Sequence, residues 1–279
     1  MKCFYHHSDF DGQCSAAIVR YAFPDCEPMP ITHGDSFPFD DIQPGETVYM
    51  VDFCLPMDLM VRLNQVSELT WIDHHKSTIE AAAEIGFYPR GVRKIGEAAC
   101  ELTWQFLFPT VELPHAVYFL GRCDVWDLEV HPSILPFQFG MGLQDTDPVS
   151  ALWPQLFSRD GVALERRIIR QGKVIGQYRS RENEKRARWC SFETNLQGVR
   201  AVAINAGLTN ADVFKGVWNP SRHDLMVTFF WMSKGSWKVT LYTDKPNIDC
   251  SVLAGRFGGG GHKAAAGFEC RDLPFPLAA

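Results

Sequence analysis

The first 125 residues alternate between two hydrophobic periods. Short apolar runs at 2–7, 46–53 and 69–73 read as β-strands. Each is followed by a stretch of helical periodicity, at 13–23, 57–66 and 77–85. The first of these helices carries the apolar group Ala16, Ala17, Ile18 and Val19. Further helices are expected over 97–108 and 115–123. Strand–helix alternation of this kind predicts an α/β domain with a parallel sheet. A charged, helix-like stretch then runs from about 160 to 188, with nine Lys and Arg between Arg166 and Arg188. It reads as a solvated connecting helix, with a basic wall facing substrate as the alternative.

Beyond this stretch the texture changes. Residues 199–205, 224–232 and 237–243 are β-rich, 248–257 is helical, and a glycine-rich turn follows. The expected organisation is an N-terminal parallel-sheet domain at 1–158 and a helical connector at 159–191. A smaller α/β domain follows at 192–279. The Pro- and Ala-rich tail at 272–279 is expected to fray. No internal repeat is visible.

Composition narrows the function classes. With 279 residues, 46% hydrophobic and 22% charged, the chain is neither disordered nor fibrous. A formal net charge of -6 argues against global attraction to long nucleic acid, so any phosphate binding must be local. The nine cysteines include no CxxC pair and read as neither a zinc ribbon nor a disulfide framework. Cys14, Cys100 and Cys190 are expected as small buried hydrophobes. The start of the chain lacks the apolar core of a signal peptide, and no run is long enough to span a membrane. A soluble, reduced, cytoplasmic protein is expected.

Ligand-type residues end each of the first three predicted strands. They are His7-Ser8-Asp9-Phe10-Asp11-Gly12, Asp52, and Asp73-His74-His75. The carboxyl ends of parallel strands share one edge, where ligands bind in α/β sheets. Alternate residues of an extended segment share a face, so His7, Asp9 and Asp11 can point to one site. Gly12 is read as taking backbone angles closed to other residues, so that a helix can start at once. A fourth candidate is Asp124 in Asp124-Val125-Trp126-Asp127. Carboxylates with imidazoles suit a divalent metal such as Mn, Fe or Zn.

Together these motifs resemble the DHH phosphoesterase superfamily with its C-terminal DHH-associated domain. His7-x-Asp9-x-Asp11-Gly12 is similar to the first motif, Asp52 to the second and Asp73-His74-His75 to the third. Asp124-x-Trp126 resembles the form of the fourth found in the oligoribonuclease (nanoRNase) branch. The segment from Gly258 to Gly267 is similar to the glycine-rich signature of the associated domain. The resemblance implies two ions, usually Mn2+, with Mg2+ or Co2+ as substitutes. It places His7 and Asp9 on one ion, Asp11, His74 and Asp124 on the other, and Asp52 between them. His75 would contact the substrate phosphate. Asp73 would either orient a ligand imidazole or simply end its strand, and His6 would face away in a structural place. The Trp126 register favours Asp124 over Asp127.

On the substrate side, Gly259, Gly260, Gly261 and His262 would cradle an anion, the alternative being a flexible turn. Relatives carry an Arg where this chain has Tyr242, which can stack on a base but cannot pair with phosphate. Arg222, Lys245 or Arg256 would have to substitute. The function implied is a Mn-dependent phosphodiesterase acting on short oligonucleotides or linear dinucleotides. Its partner is that substrate and neither long nucleic acid nor a membrane, and a homodimer is compatible. Cyclic dinucleotide cleavage and 3',5'-bisphosphonucleotide dephosphorylation are alternatives within the enzyme class. A non-catalytic nucleotide sensor is the alternative outside it, disfavoured because every expected ligand is present.

Overall fold

The computed structural model describes residues 1–277. The chain divides into two compact units, the first Met1–Gly176 and the second beginning at Gln177.

In the first unit, strand β1 (Lys2–His6) leads into helix α1 (Phe10–Ala22) and strand β2 (Glu27–Ile31). Strand β3 (Glu46–Val51), helix α2 (Met57–Val66), strand β4 (Ser67–Ile72) and helix α3 (Lys76–Glu84) follow. The four strands form one sheet in the order β2-β1-β3-β4, with every pairing parallel. Both faces are covered, as parallel sheets require. Phe4, Met50 and Trp71 bury against Met60 and Leu63 of α2. Cys3, Tyr5, Tyr49 and Ile72 bury with Ala16 and Val19 of α1.

β2 has no counterpart in the sequence reading. Pro28 and Pro30 disguise it, because proline removes ladder donors and is confined to sheet edges. β2 is such an edge, bonded to β1 alone.

Four more helices make a second layer: α4 (Ala99–Leu107), α5 (His115–Asp124), α6 (Ile134–Met141) and α7 (Leu152–Phe157). The last two were not anticipated. α6 is apolar almost all round and contains Pro136, so it shows no amphipathic period. Helix α8 (Val162–Cys190) is more than a solvated connector. Ile168 is fully buried in the helical core of the first unit, and Ala187 is buried in the second. Cys190, expected inside, is exposed.

The second unit holds strands β5 (Ser191–Leu196), β6 (Val199–Asn205), β7 (Leu225–Met232) and β8 (Ser236–Tyr242). Helix α9 (Cys250–Gly255) and strands β9 (Gly260–Gly261) and β10 (Ala265–Cys270) complete it. The mixed sheet has the order β5-β6-β7-β8-β10-β9. The expected frayed tail is anchored instead. Phe275 is buried in this core, and the carbonyl of Pro276 accepts from Thr194 Oγ1 at 3.0 Å. Residues 278 and 279 lie outside the described residues.

Candidate metal centre

The parallel sheet brings the ends of β1, β3 and β4 to one edge, and the C-terminus of α5 joins them. Two trios of donor atoms assemble there, each within 4.8 Å: His6 with Asp9 and Asp52, and Asp11 with His74 and Asp124. A third grouping joins Asp52 to His74 and His75, so Asp52 and His74 link the set.

Each side chain has a separate reason for its position. Asp9 is the N-cap of α1 and accepts from Gly12 N at 3.0 Å, while its other oxygen meets His6 Nδ1 at 2.7 Å. Asp11, almost wholly buried, accepts from the N–H groups of Ala99 and Cys100 at 2.9 and 2.7 Å. It thereby satisfies orphan donors at the start of α4. Asp52 follows β3 with a left-handed backbone, φ 52°. Such a conformation is uncommon outside glycine and clusters at functional sites.

His74 Nε2 lies 3.6 Å from Asp11, 3.3 Å from Asp52 and 3.4 Å from Asp124. Among the described residues, neither buried Asp52 Oδ1 nor buried His74 Nε2 has a hydrogen-bond partner. Buried polar atoms without partners are rare and costly, and each asks for an explanation.

Electrostatics point the same way. Burial, then repulsion from Asp11, Asp9 and Asp124, pushes the Asp52 carboxyl well above the carboxylate range. Burial and the charges of Asp11 and Asp9 push Asp124 up to about 8. Four carboxylates converge, and their ionic partners are the imidazoles of His6, His74 and His75. Burial holds His74 below the usual histidine value, against the pull of Asp11. His75 moves the other way. Its Nδ1 is bonded to Asp73 Oδ1 at 2.7 Å, which raises its pKa.

Among the described residues, Asp73 belongs to none of these donor groupings and is bonded to His75 instead. Its buried carboxylate also accepts from the N–H groups of His74 and His75 at 2.7 and 3.1 Å and from Thr78 Oγ1 at 3.0 Å. Burial would raise its pKa, but these bonds hold it below the usual value. Asp127 turns away to Arg122 at 3.5 Å, and Arg122 is bonded to buried Glu101. Asp124 alone of the pair reaches His74.

One expected donor is not brought to the cluster. His7 is exposed and lines a cavity with Tyr5 and Gln13, and His6 takes its place. The phase of β1 decides this: Phe4 and His6 face the side holding Phe53, whereas Tyr5 and His7 face the other. Gly12 also differs from expectation. It sits inside α1, and its small size is what matters: a Cβ there would lie 1.9 Å from the carbonyl oxygen of His6. Sequence reasoning missed His33. Its ring lies 4.9 Å from Phe53 and 6.1 Å from His6, at the end of the unanticipated strand β2. The apolar run that would have flagged it is broken by prolines.

In the second unit the glycine segment forms a tight hairpin. Gly261 pairs with Ala266 and Gly260 with Gly267, and His262 N donates to Ala265 O at 2.7 Å. Gly259 N and Gly258 N donate to Ala254 O and Gly255 O, at 3.0 and 3.1 Å. These donors are thus directed to protein carbonyls and not to an anion. A Cβ on Gly259 would meet Gly267 O at 2.2 Å, so close strand contact accounts for the glycine. The His262 side chain is exposed. Arg222 is paired with Glu193 at 2.6 Å, and Arg256 with Gln197 at 3.0 Å. Lys245 is bonded to the carbonyl of Pro220. The Tyr242 hydroxyl donates to Thr209 O at 3.2 Å.

Comparison with known proteins places this architecture. The chain resembles, with a TM-score of 0.63 and 14% identity, the DHH domain of a member of a family of ribosomal proteins. The match covers 95% of this chain and 82% of that one. A pGpG-specific phosphodiesterase, PggH from Vibrio cholerae, matches at TM-score 0.54 and 13% identity, over 96% and 92% of the two chains. An exopolyphosphatase-related protein from Bacteroides fragilis matches at 0.51 and 11%, over 98% and 87%. The fold is that of the DHH-domain proteins. In sequence, the chain is 24% identical to an uncharacterized protein, R106, of Acanthamoeba polyphaga mimivirus, over 94% of its own length. It spans 66% of the length of that relative. No protein-family model matches the chain. Among the described residues, no helix is long and apolar enough to cross a membrane.

Proposed function

We propose that this chain is a metal-dependent phosphodiesterase that hydrolyses very short oligonucleotides, linear dinucleotides foremost, to mononucleotides. The observation that carries the reading is the pair of donor trios linked through Asp52 and His74, with Asp52 Oδ1 and His74 Nε2 buried and unpartnered. Cations would satisfy both orphan atoms and neutralise the crowded carboxylates. The donor set, oxygen-rich with imidazole, fits two Mn2+, with Mg2+ or Co2+ as substitutes. His6, Asp9 and Asp52 would hold one ion, and Asp11, His74 and Asp124 the other, with Asp52 shared. Bound ions of this kind polarise a phosphoryl oxygen and lower the pKa of a coordinated water.

The residues around the centre have complementary tasks. His74, whose pKa is lowered, keeps the neutral imidazole that a metal ligand needs. His75, whose pKa Asp73 raises, has Nε2 left to face an anionic phosphate oxygen and donates to it when protonated. The bonds from Ala99 and Cys100 fix the orientation of the Asp11 carboxylate before any ligand arrives. In the second unit, exposed His262 is the substrate-binding candidate.

Likeness to a pGpG-specific phosphodiesterase is a likeness of fold, and it makes linear dinucleotides the first substrates to try. The test is a rate ranking with Mn2+. The panel holds dinucleotides, longer oligomers, cyclic dinucleotides, 3',5'-bisphosphonucleotides and polyphosphate. Dinucleotides are expected to be cleaved fastest. Preference for any other member would replace the substrate assignment, and no hydrolysis of any would overturn the enzyme reading.

A further inference from the structure

The face of β1 opposite the donor cluster carries a second feature. A cavity of about 440 Å³ opens there, lined by Tyr5, His7, Gln13, Pro30, Asp147 and Pro148. All six belong to the first unit. The volume falls in the range of small-ligand sites. No Lys or Arg lines it, and Asp147 would repel a phosphate, so the walls do not suit an anion.

What the walls supply is flat apolar surface and hydrogen-bond acceptors. Pro30 and Pro148 are rigid, and the His7 imidazole can stack on a ring. Gln13 donates through Nε2 to His7 O at 2.9 Å, which fixes its amide orientation. Its Oε1 is then buried without a partner among the described residues. Asp147 accepts from Val149 N at 2.9 Å through Oδ1, which leaves Oδ2 and the second lone pair of Oδ1 for a ligand. Its loop is pinned from behind, because buried Trp153 donates through Nε1 to the carbonyls of Thr146 and Asp147 at 3.3 and 3.1 Å. The exposed Asp147 carboxylate is thus the charged acceptor of a cavity with flat walls.

We propose that this cavity binds a purine base through its N–H edge, guanine in preference to adenine. Guanine presents adjacent N1–H and N2–H donors that a carboxylate accepts together, whereas adenine offers its exocyclic amine alone. The segment from His6 to Gln13 serves both places: His6, Asp9 and Asp11 belong to the donor cluster, and His7 and Gln13 to the cavity. The base would be that of a nucleotide whose phosphate lies at the cluster, a link that rests on the phosphodiesterase reading. Base binding itself does not.

Calorimetry with guanosine and adenosine in EDTA tests the site, because these probes carry no phosphate and need no metal. Guanosine should bind the intact protein, and adenosine about tenfold more weakly or worse. Asp147→Asn keeps an oxygen for Val149 N but presents an amide to the base, and should weaken guanosine about tenfold or more. No guanosine binding, equal binding of adenosine, or undiminished binding by Asp147→Asn would each overturn the proposal. With Mn2+, Asp147→Asn should raise KM for GpG and leave kcat and metal content unchanged. Guanosine binding without hydrolysis of any dinucleotide would remove the phosphodiesterase reading and keep the cavity. Hydrolysis without guanosine binding would do the reverse.

Discussion

Asp52→Asn should stabilise the metal-free protein and abolish its response to metal. Asn is nearly isosteric and tolerates the left-handed backbone at this position, so the change adds little strain. What it removes is charge. Donor oxygens of Asp52 and Asp9 lie within 4.8 Å of each other, where two unit charges repel by about 3 kcal/mol at an effective dielectric of about 20. Asp9 is partly exposed, and screening reduces the benefit to about 1–2 kcal/mol. For a domain of this size that corresponds to a gain of about 2–8 °C in melting temperature. The sign depends on pH. The folded-state pKa of Asp52 lies well above 3.8, so its contribution to stability is greatest below that value and is lost as pH rises through the folded pKa. Asp124, at about 8, behaves likewise. Wild-type protein in EDTA should therefore lose stability from about pH 4 to about pH 8, more steeply than Asp52→Asn. The two should be alike near pH 4, and the gap between them should widen as pH rises above it. Metal should reverse the order: at 100 times Kd it stabilises the wild type by about 2.7 kcal/mol, and the variant should gain little. Scanning fluorimetry at pH 5–9 with EDTA or Mn2+ measures all four curves. A variant less stable than wild type in EDTA at pH 8.5, or stabilised equally by Mn2+, would refute the reasoning.

Three further outcomes are expected. His6→Ala should weaken one of two bound metals at least about tenfold in metal titration, and His7→Ala should leave both unchanged; the opposite pattern would restore the sequence-based assignment. Gly12→Ala puts a Cβ 1.9 Å from the His6 carbonyl oxygen and should cost about 3 kcal/mol in urea unfolding, with a loss under about 0.5 kcal/mol showing that the contact relaxes freely. Asp73→Asn should lower the His75 pKa toward the ordinary histidine value, followed by NMR titration in EDTA. The raised His75 pKa adds stability below about 6.5 and the lowered Asp73 pKa adds it above about 3.8, so this variant should be weakened most between those values.

Why the sequence misplaces one histidine is instructive. Parity along a strand is legible when one face is polar. Cys3, Phe4 and Tyr5 are all buried, because a parallel sheet is covered on both sides, so the apolar run carries no phase. Motif spacing then favoured His7, and only the packing of Phe4 with Phe53 makes His6 the inward residue. Acids that end strands were readable, since topology carries Asp52 and Asp73 to the same edge without any detail of packing. Roles were less readable. Asp73 differs from Asp52 in that four donors on His74, His75 and Thr78 satisfy it, and those bonds depend on the turn after β4. The glycine run was overread for a similar reason. Its composition suits an anion cradle or a close hairpin equally, and the hydrogen bonds of Gly258, Gly259 and His262 distinguish the two.

The donors of the cluster are not equivalent as experimental probes, because some also hold the fold together. Asp11 accepts from two N–H groups at the start of α4, yet Oδ2 stands 3.6 Å from His74 Nε2. Removing its carboxylate would strand buried donors, at about 1–3 kcal/mol each, besides removing a proposed ligand. A loss of activity in Asp11→Ala would therefore report folding and metal binding together. Asp124 ends α5 and faces His74 at 3.4 Å, with its pKa raised by burial and by its acidic neighbours. Its substitution by Asn relieves repulsion in the same sense as at Asp52. If both variants stabilise the metal-free protein while losing metal, repulsion at the cluster is what a bound cation offsets. The stability given up by the metal-free protein is then a direct measure of how far the fold is built for that cation.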